Sequence, residues 1–363
     1  MSGYYEKGRI MADITTIFDH EKAREAILKG RRSRWWERKG SKPGRFQYVD
    51  AGGRKISDPD SLERIGKLVI PPAWKHVRVN PFAGGKIQAV GVDAMGRIQY
   101  KYHAAFSQKQ QQKKFAKIER FGEFMPRLKE VTNQHIALEG LPKEKVLAVV
   151  MRLINSLYFR VGTELSERHY KTYGVTTLKK SHLTIGKKGR LEFNFVGKSH
   201  VQHRKILVDE GLSAVVAELF AIKRGKRLFR YVDVDGKVRT ITPASINRYL
   251  KDVTSPEFSA KDFRTWGGTL MAASELAEIG KAEAEKDVNK NIVKAVKKVA
   301  EVLGNTPSVC RSSYIHPLIL DSYRNGVTID EFRPRRTRMV NGIQTDFDPE
   351  EKALLKMFKS MNP

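Results

Sequence analysis

The spacing of apolar residues changes along this chain near Ser107. Upstream, apolar positions alternate or run in short stretches broken by glycine, the period of strands. Downstream they recur three and four apart, the period of helices. Residues 20–29 read as a helix. Residues 45–50 and 54–56 read as a hairpin across Gly52 and Gly53, and residues 74–79 alternate. Residues 87–93 and 97–103 form a second hairpin across Ala94, Met95 and Gly96. Residues 108–138 are a polar helical stretch with little internal punctuation. Pro142 stands where the first residue of a helix would. Val146, Val149, Val150, Leu153 and Leu157 follow at helical spacing and predict a core helix with Arg160 at its C-terminal end. A strand-rich interval comes next, over 174–178, 181–185 and 191–197, with a turn at 186–189. Residues 212–223 are helical, and 228–234 and 237–241 pair across Asp235-Gly236. The remainder is helical to about Gly326. Residues 333–363 open on the basic run Arg333, Arg335, Arg336 and Arg338 and read as an appended tail.

The expected fold class is α+β, with a small β-rich N-terminal domain over residues 1–106, a mainly α domain over 107–332 and a basic tail over 333–363. A domain usually holds roughly 100–200 residues, so two or three are expected.

Charge narrows the function. Against 40 Asp+Glu stand 68 Lys+Arg, a formal excess of +28, while 40% of the residues are hydrophobic, enough for ordinary cores. Such an excess draws polyanions and releases their counterions on binding. Nucleic acid is the first candidate, and a basic ribosome- or chromatin-binding protein without chemistry is the alternative. One cysteine, Cys310, allows no disulfide within the chain and fits a reducing compartment. No apolar leader is visible after Glu6, Lys7 and Arg9, and the most apolar run, residues 146–151, is far too short to span a bilayer.

Several chemistries are disfavoured. Gly197-Lys198-Ser199 ends like a phosphate-binding loop, but the first glycine of that motif would fall on Glu192. No cysteine pair or metal-spaced histidine cluster stands out. His200 and His203, three apart in a basic segment, read as solvent-facing or phosphate contacts.

Cleaving a phosphodiester without metal requires a nucleophile, positive charge on the pentacoordinate phosphate, and an acid for the leaving alkoxide. A tyrosine supplies the first, and its ester keeps the bond energy for resealing. Arginines clamp phosphate oxygens in pairs, and a lysine protonates the leaving oxygen. Four segments carry these types: Leu157-Tyr158-Phe159-Arg160-Val161-Gly162, Phe193-Asn194-Phe195-Val196-Gly197-Lys198, Lys261-Asp262-Phe263-Arg264-Thr265-Trp266-Gly267, and Gly304-Asn305-Thr306-Pro307-Ser308. In the last, Gly304 caps one helix, Thr306 and Pro307 open the next, and Tyr314 falls about two turns into it.

These segments, with Val69-Ile70-Pro71-Pro72-Ala73-Trp74 and residues 91–102, resemble the type IB DNA topoisomerases of the poxvirus-like and bacterial group over roughly residues 65–326. The resemblance implies a catalytic domain of the tyrosine recombinase and topoisomerase IB type and a two-domain clamp around duplex DNA. It also implies a monomer with no metal, ATP or other small-molecule cofactor and no membrane, working in the cytoplasm on the nucleoid. It implies that Tyr314 forms a 3′-phosphotyrosyl link and frees a 5′-hydroxyl. Arg160 and Arg264 bind the non-bridging oxygens, and Lys198 acts as general acid with Arg160 assisting. The family generally has a histidine where this chain has Asn305, an amide that donates a hydrogen bond but never becomes cationic. Arg97, Gln99, Tyr100 and Tyr102 match the family's DNA-contacting strand.

Each residue also has a plainer reading. Tyr314 alone is an ordinary amphipathic tyrosine, Arg160 a dipole-complementing cation, Lys198 a solvated turn lysine, and Cys310 a small buried residue. Tyr100 and Tyr102, alternating on one strand face, fit a sheet core as well as a DNA contact. Two other functions compete, a tyrosine recombinase and a non-catalytic DNA-binding protein. A recombinase is expected to carry helices where residues 45–103 read as strands.

Overall fold

The structure, a computed structural model, describes residues 20–40, 44–223, 225–333 and 348–361. It divides into two compact units, Met1–Lys113 and Lys114–Pro363. The division falls inside a helix, seven residues beyond the expected one at 106, because Ala104–Glu123 is one continuous helix.

The first unit holds α1 (His20–Leu28), β1 (Trp36–Lys39), β2 (Gln47–Val49), α2 (Pro59–Lys67), β3 (Lys75–Val79), β4 (Ile87–Val92) and β5 (Ile98–Tyr102). The strands form an antiparallel sheet in the order β2-β1-β3-β4-β5. Strand β4 is buried on both faces, Val90 and Val92 packing with Ala23 and Ile27 of α1, and Ala89 with Ile65 of α2. The pattern of apolar residues does not predict β1 or α2. The start signal of α2 is nevertheless present, since Asp58 accepts from Ser61 N at 2.9 Å and Pro59 follows it. The hairpin at residues 45–56 exists, but its second arm is a single bridge, Val49 to Lys55.

The second unit completes α3 (Ala104–Glu123) and continues with α4 (Met125–Ile136), α5 (Lys143–Leu157) and α6 (Glu164–Tyr170). The polar stretch expected as one helix is two, because Pro126 lacks the amide that would carry α3 onward. Pro142 sits at the N-cap of α5, one position before the expected one. Residues 174–178, expected as a strand, form a 3-10 turn over Val175–Thr177. Then come β6 (Leu183–Ile185), β7 (Arg190–Val196) and β8 (Gln202–Val208), an antiparallel sheet whose last strand the sequence did not reveal. The unit closes with α7 (Glu210–Ala221), β9 (Arg230–Val232), β10 (Val238–Thr240), α8 (Pro243–Val253), α9 (Asp262–Ile279), α10 (Glu285–Leu303), α11 (Pro307–Ser313), α12 (Pro317–Arg324) and α13 (Pro349–Met361).

One core joins these elements. Helix α5, buried almost throughout, packs with α9, which carries Phe263 and Trp266, and α9 packs in turn with α10, which adds Val296 and Val299 to the same core. Helix α13 belongs to this core as well. Ala353, Leu354, Met357 and Phe358 are buried in it, and Trp266 Nε1 donates to Glu351 Oε1 at 3.3 Å. The C-terminal segment is therefore not simply an appended tail, since its apolar stripe completes the core of the second unit. Arg335, Arg336 and Arg338 lie outside the described residues, as do Glu6, Lys7 and Arg9. Among the described residues no helix is long and apolar enough to cross a membrane.

Candidate active site

Arg160 reaches its place through strained backbone. Helix α5 stops at Leu157 because Tyr158 turns left-handed, φ 55° and ψ 36°, a conformation unfavourable for an aromatic residue. Tight packing holds it there. A side chain on Gly267 would put its Cβ 1.9 Å from the Tyr158 ring, so only glycine leaves room. The chain then runs extended past the 3-10 turn, Val175 N donating to Arg160 O at 2.8 Å and Thr176 N to Val161 O at 2.9 Å. These ladder-like bonds, with β-branched Val175, Thr176 and Thr177, explain why the turn reads as a strand. Arg160 lies beyond the helix rather than at its end, and its Nη2 donates to Gly304 O at 3.3 Å and to Asn305 Oδ1.

Helix α9 positions two groups one turn apart. Arg264, buried, donates from Nη1 to Tyr158 O at 2.6 Å and from Nη2 to Leu303 O at 2.7 Å, leaving Nε buried without an acceptor. Four residues on, a Cβ at Gly268 would lie 2.6 Å from Tyr314 O, so this glycine allows the Tyr314 backbone against the helix. Thr269 Oγ1 then accepts from His316 N at 3.0 Å, pinning the chain just after Tyr314.

Tyr314 is not inside α11. It follows the last helical residue, Ser313, as the C-cap, its amide donating to Cys310 O at 2.9 Å. The start of α11 is as expected, with Gly304 left-handed at φ 61°, Thr306 capping Val309 N, and Pro307 next. The Arg264 guanidinium stands 5.3 Å and the Lys114 amine 5.8 Å from the Tyr314 ring centroid. Burial opposes ionisation of the phenol. Arg264, Lys261 and Arg160 outweigh it and hold Tyr314 below the usual tyrosine value. Lys114 also donates to Ser313 O, and burial together with Lys261 brings its amine down to about 8.

Asn305 accepts from Arg160, while its amide nitrogen is buried without an oxygen or nitrogen acceptor among the described residues. Cys310 is fully buried beside it, and burial pushes the thiol up. Lys198 is exposed in the turn between β7 and β8 and lines a small cavity with Arg160, Arg264 and Lys205. The turn is anchored by His203, which departs from its sequence reading. It is 8% exposed, and a Cβ on either Gly197 or Gly304 would come within 2.4 Å of its ring. Burial first, then Lys205, Arg160 and Arg264, push its imidazole down to about 4, so it is neutral at physiological pH. Among the described residues no group of three or more His, Cys, Asp or Glu is placed to hold a metal ion.

The five catalytic candidates thus converge within the second unit. Arg97, Gln99, Tyr100 and Tyr102 lie in the first. Asp93 gathers two of them, accepting from Arg97 Nε at 2.8 Å and from Gln99 Nε2 at 2.9 Å. Tyr100 and Tyr102 stand exposed and stacked, centroids 6.1 Å apart, so the sheet-core reading of this pair fails. Sequence reasoning missed Lys114, Lys205 and the anchoring role of His203. Only tertiary contacts distinguish these lysines from the many solvated ones.

A half-buried phenol with Arg264 beside its ring and Arg160 close by, and with Lys198 on the cavity those arginines line, is an arrangement that can perform phosphoryl transfer. Comparison with known proteins identifies the family. Residues 103–337 match the family described as eukaryotic DNA topoisomerase I, catalytic core, and residues 45–93 the bacterial DNA topoisomerase IB N-terminal domain. DNA topoisomerase 1B of Acanthamoeba polyphaga mimivirus is 31% identical over 287 residues, 77% of this chain and 84% of that protein. DNA topoisomerase I of monkeypox virus and DNA topoisomerase 1B of vaccinia virus (strain Copenhagen) are each 24% identical over 247 residues, 66% of this chain and 74% of theirs. The chain belongs to the type IB DNA topoisomerase family.

Proposed function

We propose that this chain relaxes supercoiled duplex DNA by cutting one strand through Tyr314, letting the duplex rotate, and resealing it. Tyr314 Oη attacks the scissile phosphorus and gives up its proton to solvent. The phosphorus–5′-oxygen bond breaks, leaving a 3′-phosphotyrosine, and Lys198 protonates the departing 5′-oxygen. Arg264 and Arg160 neutralise the equatorial oxygens, where charge accumulates in the transition state. Asn305 adds its unsatisfied amide N–H. Religation reverses these steps, and torsion in the DNA drives rotation, so the cycle needs no nucleotide or metal. The enzyme acts as a monomer, on the nucleoid in the cytoplasm. Arg97, Gln99, Tyr100 and Tyr102 contact the duplex from the first unit.

The observation that carries this reading is the setting of Tyr314, a half-buried phenol held below its usual value by Arg264, Lys261 and Arg160. The strand-rich first unit, matching a bacterial topoisomerase IB domain, tells against a recombinase. The test is relaxation of supercoiled plasmid in EDTA without nucleotide, alongside trapping of a covalent protein–DNA adduct by denaturant. Wild type should do both and Tyr314→Phe neither. Absence of relaxation by the folded wild type overturns the proposal.

A further inference from the structure

Helix α10 ends in a row of carbonyls that no backbone amide among the described residues reaches. Its left-handed cap uses Asn305 N on Ala300 O, at 3.0 Å, and Gly304 N on Glu301 O, at 3.2 Å. The next three carbonyls, Val302, Leu303 and Gly304, are left at the negative end of the helix dipole. Three cations from three different segments take them in order. Lys205 Nζ of β8 donates to Val302 O, Arg264 Nη2 of α9 to Leu303 O at 2.7 Å, and Arg160 Nη2 to Gly304 O at 3.3 Å.

We propose that Lys205 is a positioning residue for strand transfer. As the third cation on this helix end, it fixes Gly304 and Asn305 against Arg160 and Arg264. The inference rests on the roles given above to Arg160, Arg264 and Asn305, and extends them to a residue whose contact is with the helix end. Two independent features support it. Lys205 lines the same small cavity as Arg160, Lys198 and Arg264. Its neighbour on β8, His203, packs against Gly304, so the strand touches the helix end at two places.

A purely structural donor would serve as well uncharged. This lysine is instead kept among like charges, and no carboxylate is among the groups that act on it. Burial, then Arg264 and Arg160, bring its amine down to about 8. The titratable and charged groups around it are Arg160, Arg264 and Lys198 with the neutral His203, and Tyr158 and Tyr173 on the cavity wall. The cationic form is therefore complete well below pH 8 and is lost as pH rises through it.

The experiment compares wild type, Lys205→Met and Lys205→Arg as full chains. It measures single-turnover adduct formation on a short duplex from pH 6 to 9.5, together with duplex affinity and thermal melting. Lys205→Met should form adduct roughly 10- to 30-fold more slowly at pH 7, the scale of a partly buried charge at a helix end, with duplex affinity changed little. The wild-type rate should carry a fall near pH 8 that is smaller in Lys205→Met, the remainder belonging to Lys114, whose amine is also brought down to about 8. Lys205→Arg should restore most of the rate and move the Lys205 share of that fall above the measured range, so that its fall too is smaller than that of wild type. Wild-type rates in a folded Lys205→Met overturn the proposal. So does an unchanged fall near pH 8 in Lys205→Arg, which decides the matter if the methionine variant does not fold. A wild type that forms no adduct at Tyr314 refutes the reading of the site itself, which is a different result.

Discussion

Gly268 shows how much of the placement of Tyr314 depends on an atom that is absent. Its missing Cβ lets the Tyr314 carbonyl lie against α9 one turn after Arg264, so a single helix sets both the phenol's backbone and the cation over its ring. In Gly268→Ala the new methyl meets backbone 2.6 Å away, and the strand of chain at Tyr314 must shift. Overpacking of this kind costs about 1–3 kcal/mol. The larger effect is on catalysis, where a small misplacement costs up to about a hundredfold. Gly268→Ala should stay folded, bind duplex nearly as wild type does, and form covalent adduct at least about tenfold more slowly. Adduct formation at the wild-type rate would show that the close approach is incidental. At this scale the residue types Tyr314, Arg160, Arg264 and Lys198 were legible as a set. Their supports were not, because a glycine's role lies in what faces it.

At the scale of elements, the β7–β8 hairpin and the end of α10 are joined through His203. Its imidazole is buried between Gly197 and Gly304 and kept neutral. An unfolded histidine takes a proton near pH 6.5, whereas this one does so only near 4. The unfolded state therefore binds more protons between those values, and stability falls as pH drops from about 6.5 to about 4. Denaturant midpoints of wild type should decline over that window, and His203→Gln should decline less. Equal slopes in the two proteins would place the titration elsewhere. The elements themselves were unevenly legible. Strong helical stripes in α5 and the Asp-Gly turn between β9 and β10 were read correctly in kind. Strand β8 was not, because its outer face carries Gln202, Arg204 and Ile206 in the open and its inner face includes His203 and Lys205, leaving little hydrophobic alternation. Helix α13 was hidden behind a basic run that suggested a tail.

For the whole molecule, a charge of +28 makes binding to duplex DNA strongly electrostatic. The apparent association constant should fall with a log–log salt slope of about −0.9 for each phosphate neutralised. Six or more contacts would mean roughly a thousandfold loss between 50 and 200 mM salt. Filter-binding or anisotropy titrations over that range measure it, and a nearly flat dependence would contradict phosphate-dominated binding. Binding and chemistry should respond differently, since charges buried around Tyr314 are screened far less than exposed ones.

Read alone, the sequence determined the class of partner, the order of strands and helices in outline, and the residue types that its candidate site brings together. These depend on net charge, on local periodicity and on motifs whose spacing is carried by the chain itself. Tertiary structure decided what those residues experience. It brought Lys205, Arg264 and Arg160 from distant segments onto three successive carbonyls of α10. It buried a histidine that local context suggested was exposed, and it folded residues 349–361 into the hydrophobic core of the second unit. The physical reason is that charge and periodicity act along the chain. Desolvation, dipole complementarity and close approach arise only between segments that the chain keeps far apart.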